Sequence, residues 1–220
     1  MKEIELYHLG DFCEPGIIIN DILNDKKKLL FMLGNYNFND IVSYLKDNDF
    51  EKIYDRNFFQ INKNRNVRHS LYKFVFNHDY KLDDINQITN YEFIVDRFNE
   101  KISNFKEMLN RDEYAIFINF TRNVNALHVH DMVDWLNGNK RNKLYKIMIF
   151  TNFEYEKISI PNVYTIKLEH SYYEWYEMER DTKLTLYTEI YGRFIDCLCQ
   201  NGVEHAFPKA FSVDSINLRV

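Results

Sequence analysis

The sequence predicts an α/β fold: a single three-layer domain over residues 1–220, built on a mainly parallel, Rossmann-like sheet. Three observations lead there. Near-continuous apolar runs at 114–120, 144–150 and 163–168 read as strands buried on both faces. Helix-length segments with apolar residues at helical spacing alternate with them, the order that builds parallel crossovers. No repeat, low-complexity tract or linker divides the 220 residues, which suffice for one sizeable core.

Taken in order, residues 3–9 read as a short first strand, ended by the Gly10-Asp11 turn. Residues 17–23 look helical, and the lysines at 26–28 suit a helix carboxyl end. Residues 28–33 read as a short strand. Residues 37–46 follow as a helix, with Asn37 or Asn39 as cap and Ile41, Val42 and Leu45 on one face. The aromatic runs 57–61 and 71–76 flank a polar turn at 62–66, which predicts a β-hairpin insertion near 55–80. Residues 91–109 carry Phe93, Ile94, Phe98, Ile102, Phe105 and Leu109 at helical spacing, the strongest helix signal in the chain. A helix over 124–136 ends at Asn137-Gly138, and a last helix is predicted over 183–200.

Composition narrows the function classes. Apolar residues make up 45% of the chain and aromatics 16%, the content of a folded globular protein. A net charge of -5 argues against nucleic acid as the main partner. No run approaches the roughly 18 apolar residues of a membrane span, and the first residues lack the apolar core of a signal peptide. The three cysteines, Cys13, Cys197 and Cys199, are an odd number, and the last two are too close for an ordinary bridge. A reducing, cytoplasmic location is expected, in the host cytoplasm if the chain is viral. The abundance of Asn, Ile, Lys, Tyr and Phe matches A/T-rich codons, as in many large DNA viruses and low-GC bacteria.

Cys13 is the residue with the clearest chemical meaning. It follows the first strand and precedes a predicted helix, where free backbone N–H groups and the helix dipole favour the thiolate. A cysteine nucleophile needs a base, and His78, at the end of the second aromatic run, is the best placed of seven histidines. Asp79 could orient it, although neighbours in an extended segment point to opposite sides. In open parallel sheets ligands gather at the carboxyl ends of the strands. That rule adds Gly10 and Asp11 after the first strand, Arg122 after the strand at 114–120, and His170 after the last strand, as candidate binding residues.

Other signals are weaker. His128, His130 and Asp131 resemble a metal cluster, but only 128 and 131 share a helix face, so no metal is expected. Two His-Asp dipeptides resemble the pair used by a class of metal-dependent phosphohydrolases, whose all-helical fold the strands here speak against. Gly10-Asp11 resembles the Gly-Asp-Ser block of an esterase class, with Phe12 where the serine would stand. No glycine-rich phosphate loop is present, and no cofactor is expected.

Two short motifs carry a family resemblance. Leu9-Gly-Asp-Phe-Cys13-Glu-Pro15 and, later, Phe76-Asn-His78-Asp79-Tyr80 resemble the papain-like cysteine peptidase family DUF1796, whose pattern is Leu-Gly-x-x-Cys-x-Pro followed by Phe-x-His-Asp-Phe/Tyr. The likeness covers about residues 4–120, including the long helix with Arg97 to Phe105 and the strand after it. It implies a Cys13–His78 pair in a thiol hydrolase. Two features depart: Phe31-Met-Leu-Gly34 replaces a Phe-Asp-Trp element, and Arg122 stands slightly displaced from the family's arginine. The expected function is therefore a cysteine-dependent hydrolase or acyl transferase acting on a protein or small-molecule substrate. A non-catalytic interaction protein of the same fold and a nucleotide or nucleotide-sugar enzyme stand as the alternatives.

Overall fold

A computed structural model describes residues 4–10, 30–31, 35–76, 79–121, 125–151 and 160–167, with short helical pieces within 177–186. Its centre is a four-stranded parallel sheet of β1 (Ile4–His8), β5 (Tyr114–Phe120), β6 (Tyr145–Thr151) and β7 (Val163–Lys167), adjacent in that order. Three smaller strands, β2 (Phe59–Ile61), β3 (Val67–His69) and β4 (Val75–Phe76), form a separate antiparallel sheet. The register runs Ile4↔Tyr114 to His8↔Ile118, then Ala115↔Tyr145 to Phe120↔Phe150, then Ile147↔Val163 to Thr151↔Lys167. All seven residues of β5 are buried, as a strand covered on both faces requires. The continuous apolar runs thus became parallel strands, and the fold is α/β. The described strands step across the sheet in one direction. The reversal of strand order that opens a nucleotide crevice in doubly wound sheets is not found among them.

Three helices fill one face. They are α1 (Phe38–Asp47), α2 (Tyr91–Asn110) and α3 (Ala126–Asn139). Asn37 caps α1 by accepting from the Asn39 N–H at 2.9 Å, and Asn48 closes it in the left-handed conformation. Asn125 caps α3 through the Leu127 N–H. Tyr7 of β1 lies 5.3 Å from Phe105 of α2, and Phe105 stacks on Trp135 of α3 at 6.1 Å. Phe31, Tyr36, Tyr44 and Phe74 continue the same apolar cluster into the hairpin region with edge-to-face ring contacts. The insertion therefore shares the core of the main sheet.

Four expectations change in detail. Leu30 and Phe31, expected in a strand, lie in a turn and are fully buried; the rest of that run falls outside the described residues. The hairpin pairs β2 with β3, not with the run at 71–76. Asn62 builds its turn by accepting from the Asn64 and Asn66 N–H groups, both at 2.9 Å. Residues 70–72 form a second turn: the Phe74 carbonyl accepts from the His69 N–H at 2.8 Å, and His69 Nδ1 accepts from the Tyr72 N–H. Only Val75 and Phe76 of the second run are strand, so two apolar residues in a turn disguised it. In α2, Phe93 is 60% exposed, while Lys101 takes a buried place on the inner face. The predicted helices at 17–23 and over most of 183–200 lie outside the described residues, as do Cys197 and Cys199. No helix among the described residues is long and apolar enough to cross a membrane.

Candidate functional site

Of the residues singled out from sequence, Gly10 and Asp79 are described; Asp11, Cys13, His78, Arg122 and His170 lie outside the described residues. Leu9 and Gly10 of the first short motif and Phe76, Asp79 and Tyr80 of the second are described, and Gly10 and Phe76 both pack on Tyr36.

Gly10 leaves the carboxyl end of β1. Leu9 extends the pairing with β5 by donating its N–H to the Ile118 carbonyl at 2.7 Å, and Asn119 Nδ2 donates to the Leu9 carbonyl. The chain then turns at Gly10 with φ +64°, a conformation that favours glycine. A side chain there would collide with the Tyr36 carbonyl and the tip of Ile41. Asn35 in turn pairs with Val75, with N···O distances of 2.9 and 3.1 Å in the two directions. Tyr36 thus sits between the end of β1 and the end of β4. Its ring packs on Phe74 at 4.9 Å and on Phe76 at 6.0 Å.

Asp79 of the second motif lies inside the protein, only 3% exposed. Its Oδ1 lies 3.7 Å from Arg97 Nη1 and 4.0 Å from Lys101 Nζ, two cations one turn apart on α2. Asp79 Oδ2 and the hydroxyls of Tyr36 and Tyr80 are buried and make no hydrogen bond. Burial, and after it the charge of Asp79, pushes both phenols well above their ordinary pKa. Asn90 fixes the backbone beside the carboxylate: its Nδ2 donates to the Asp79 carbonyl at 2.9 Å, and its Oδ1 accepts from the Lys81 N–H at 2.8 Å. Asp79 is therefore occupied by cations from α2. His78, which Asp79 was expected to orient, lies outside the described residues.

His8, one of the seven histidines, sits fully buried at the last position of β1. Its ring lies beside the backbone of Phe31 and Gly10, yet neither nitrogen makes a hydrogen bond of ordinary geometry. Burial lowers its pKa from 6.5 to about 4. Between those values the unfolded chain takes up a proton that the folded protein refuses. Stability is thus full at neutral pH and falls by about 3 kcal/mol as the pH drops through that window. Urea denaturation of the wild type and of His8→Leu at pH 7 and pH 4.5 checks this: the loss on acidification should shrink in the variant, and an equal loss in both would contradict it.

The remaining candidates separate. Asp131 of α3 pairs with Lys46 of α1 at 3.0 Å, and His130 is exposed on another side of the helix. His128 lies in the first turn of α3, near Asp40 of α1. No group of three His, Cys, Asp or Glu side chains able to hold a metal occurs among the described residues. His69 serves the hairpin, with Nε2 2.8 Å from the Lys52 carbonyl. The residues that sequence reasoning missed are His8, Tyr36, Arg97 and Lys101. Of these, Lys101 carried a signal of its own, a charged residue on an otherwise apolar helix face, which marks a buried partner elsewhere.

Comparison with protein-family models, with curated proteins and with solved structures found no match to this chain.

Proposed function

We propose that this protein is a cysteine-dependent hydrolase or acyl transferase in which Cys13 is the nucleophile and His78 its base. The observation that carries this reading is the meeting of the two motifs on Tyr36. The glycine three residues before Cys13 packs against the Tyr36 carbonyl, and Phe76, two residues before His78, packs its ring on the Tyr36 ring at 6.0 Å. Segments distant in sequence are thereby moored together beside the carboxyl end of the sheet, where α/β proteins gather reactive groups. The likeness to the papain-like family supports the same pair.

In this reading the Cys13 thiol gives its proton to His78 and the sulfur adds to a substrate carbonyl. The oxyanion is assigned, in this reading, to backbone N–H groups of the Phe12 to Gly16 segment. The tetrahedral adduct collapses to a thioester as the protonated His78 returns its proton to the leaving group. Water or a second acceptor then takes the acyl group. The cysteine usage supports a reducing compartment, which keeps Cys13 a free thiol. Substoichiometric iodoacetamide near pH 7, followed by peptide mass spectrometry, tests the reading. Cys13 should be alkylated ahead of Cys197 and Cys199 and faster than free cysteine. Alkylation of Cys13 no faster than free cysteine would contradict it.

A further inference from the structure

We propose that His69 is an acid-sensitive latch on the hairpin: its neutral ring holds the turn at residues 70–72 closed, and a proton on Nδ1 releases that turn. The latch uses none of the residues of the thiol-hydrolase reading. The tautomer follows from the partners. The Tyr72 backbone N–H can only donate, so Nδ1, 3.2 Å from it, is an acceptor and carries no hydrogen. Nε2 lies 2.8 Å from the Lys52 carbonyl, which can only accept, so the ring hydrogen is there. A neutral imidazole offers one donor and one acceptor, and here both are used. A proton taken up on acidification has Nδ1 as its only place, where it would point at the Tyr72 N–H, donor against donor. The Lys52 bond survives, because Nε2 keeps its hydrogen. The change is therefore confined to the turn side of the ring.

The surroundings keep the ring neutral near pH 7. His69 is fully buried, with the rings of Phe58 and Tyr72 stacked on it at 5.3 and 4.8 Å. Phe59 and Phe74 stand 6.1 and 6.2 Å away. Burial lowers the His69 pKa from its ordinary 6.5; the Lys52 carbonyl and Asp55 pull the other way without cancelling it, and the charge of Lys73 adds to it. An open turn, with the ring in water, thus binds a proton that the closed turn refuses. The closed turn has its full stability above about pH 6.5 and loses it as the pH falls below that value. Tyr72 is also the tie from the turn to α1: its hydroxyl donates to Asp47 Oδ2 at 2.6 Å, and its ring lies 5.1 Å from that of Tyr44. The bonds from Tyr72 and Lys52 hold the Asp47 carboxyl below the usual carboxylate range, so Asp47 stays ionised while His69 titrates. Release of the Tyr72 backbone therefore loosens the hairpin from α1 at mildly acidic pH.

Two measurements on the full chain test the latch. Nitrogen-15 NMR of the histidine rings at pH 7 should show the His69 hydrogen on Nε2; a hydrogen on Nδ1 would overturn the proposal. Amide hydrogen exchange between about pH 5 and 7, corrected for the intrinsic effect of pH on exchange, then follows Tyr72 beside Phe117, a fully buried residue of β5. Below about pH 6.5 the protection of Tyr72 should fall roughly tenfold per pH unit, ahead of Phe117, which reports opening of the main sheet. His69→Asn places a carboxamide oxygen where Nδ1 stood, able to accept from the Tyr72 N–H and unable to titrate. In that variant the slope should disappear. Should the variant not fold, the two wild-type amides still decide. Protection of Tyr72 that ignores pH, or equals that of Phe117 at every pH, overturns the latch. A slope that persists in folded His69→Asn overturns it as well, because the proton then binds elsewhere.

Discussion

Gly10→Ala should lower the stability of the folded protein by about 2–5 kcal/mol, the largest effect expected from adding a single methyl group. Two costs combine. The position has φ +64°, where a non-glycine residue is strained by about 1–2 kcal/mol. The new Cβ would also press on the Tyr36 carbonyl oxygen and on Ile41. A side chain such as Ile41 can rotate aside, but the carbonyl belongs to a backbone held by the Asn35–Val75 pairing, so relief requires moving the mooring itself. Gly138 provides the internal control. Nothing lies within 4 Å of a Cβ built there, and it is in α3, so Gly138→Ala should be neutral or add up to about 1 kcal/mol. Urea midpoints of the two variants decide the matter. Equal midpoints would mean that the close approach of β1 to Tyr36 contributes nothing.

Asp79→Ala should cost about 3–5 kcal/mol, because it removes a carboxylate 4.0 Å from the buried Lys101 ammonium. Asp79→Asn should cost less, since it keeps the shape and leaves the Asn90 contacts to the backbone intact. The Arg97 contribution is separable by a double-mutant cycle of Asp79→Asn with Arg97→Gln. The partly exposed guanidinium at 3.7 Å predicts a coupling near the lower end of about 0.5–3 kcal/mol. Thermal or urea unfolding of the four proteins gives that number, and a coupling indistinguishable from zero would show that the ion pair does not hold Asp79.

The sheet was legible because its information is local. Tyr114–Phe120 is an unbroken apolar run, and such a run has one stable home, a strand covered on both faces. The Asn37 cap and the spacing of Ile41, Val42 and Leu45 fixed α1 in the same way. The hairpin register was harder, because Leu71 and Tyr72 are apolar yet sit in a turn closed by hydrogen bonds to His69. Periodicity also made Phe93 a core residue and overlooked Lys101, since helical spacing identifies a face without saying what the face meets. For the candidate site, the Cys13 and His78 motifs could be read as short patterns, whereas their support could not. Gly10 meets Tyr36, and Asp79 meets α2, through contacts between segments far apart in the chain, and no local pattern encodes such partners.

The most direct test of the central claim is the pH dependence of Cys13 alkylation in the wild type against His78→Ala. A thiol activated by an imidazole reacts as thiolate well below the ordinary cysteine pKa of about 8.5, so the wild-type midpoint should fall below about 7.5. Replacing His78 should return it to about 8.5. Coincident midpoints near that ordinary value in both proteins would show that Cys13 and His78 do not act together.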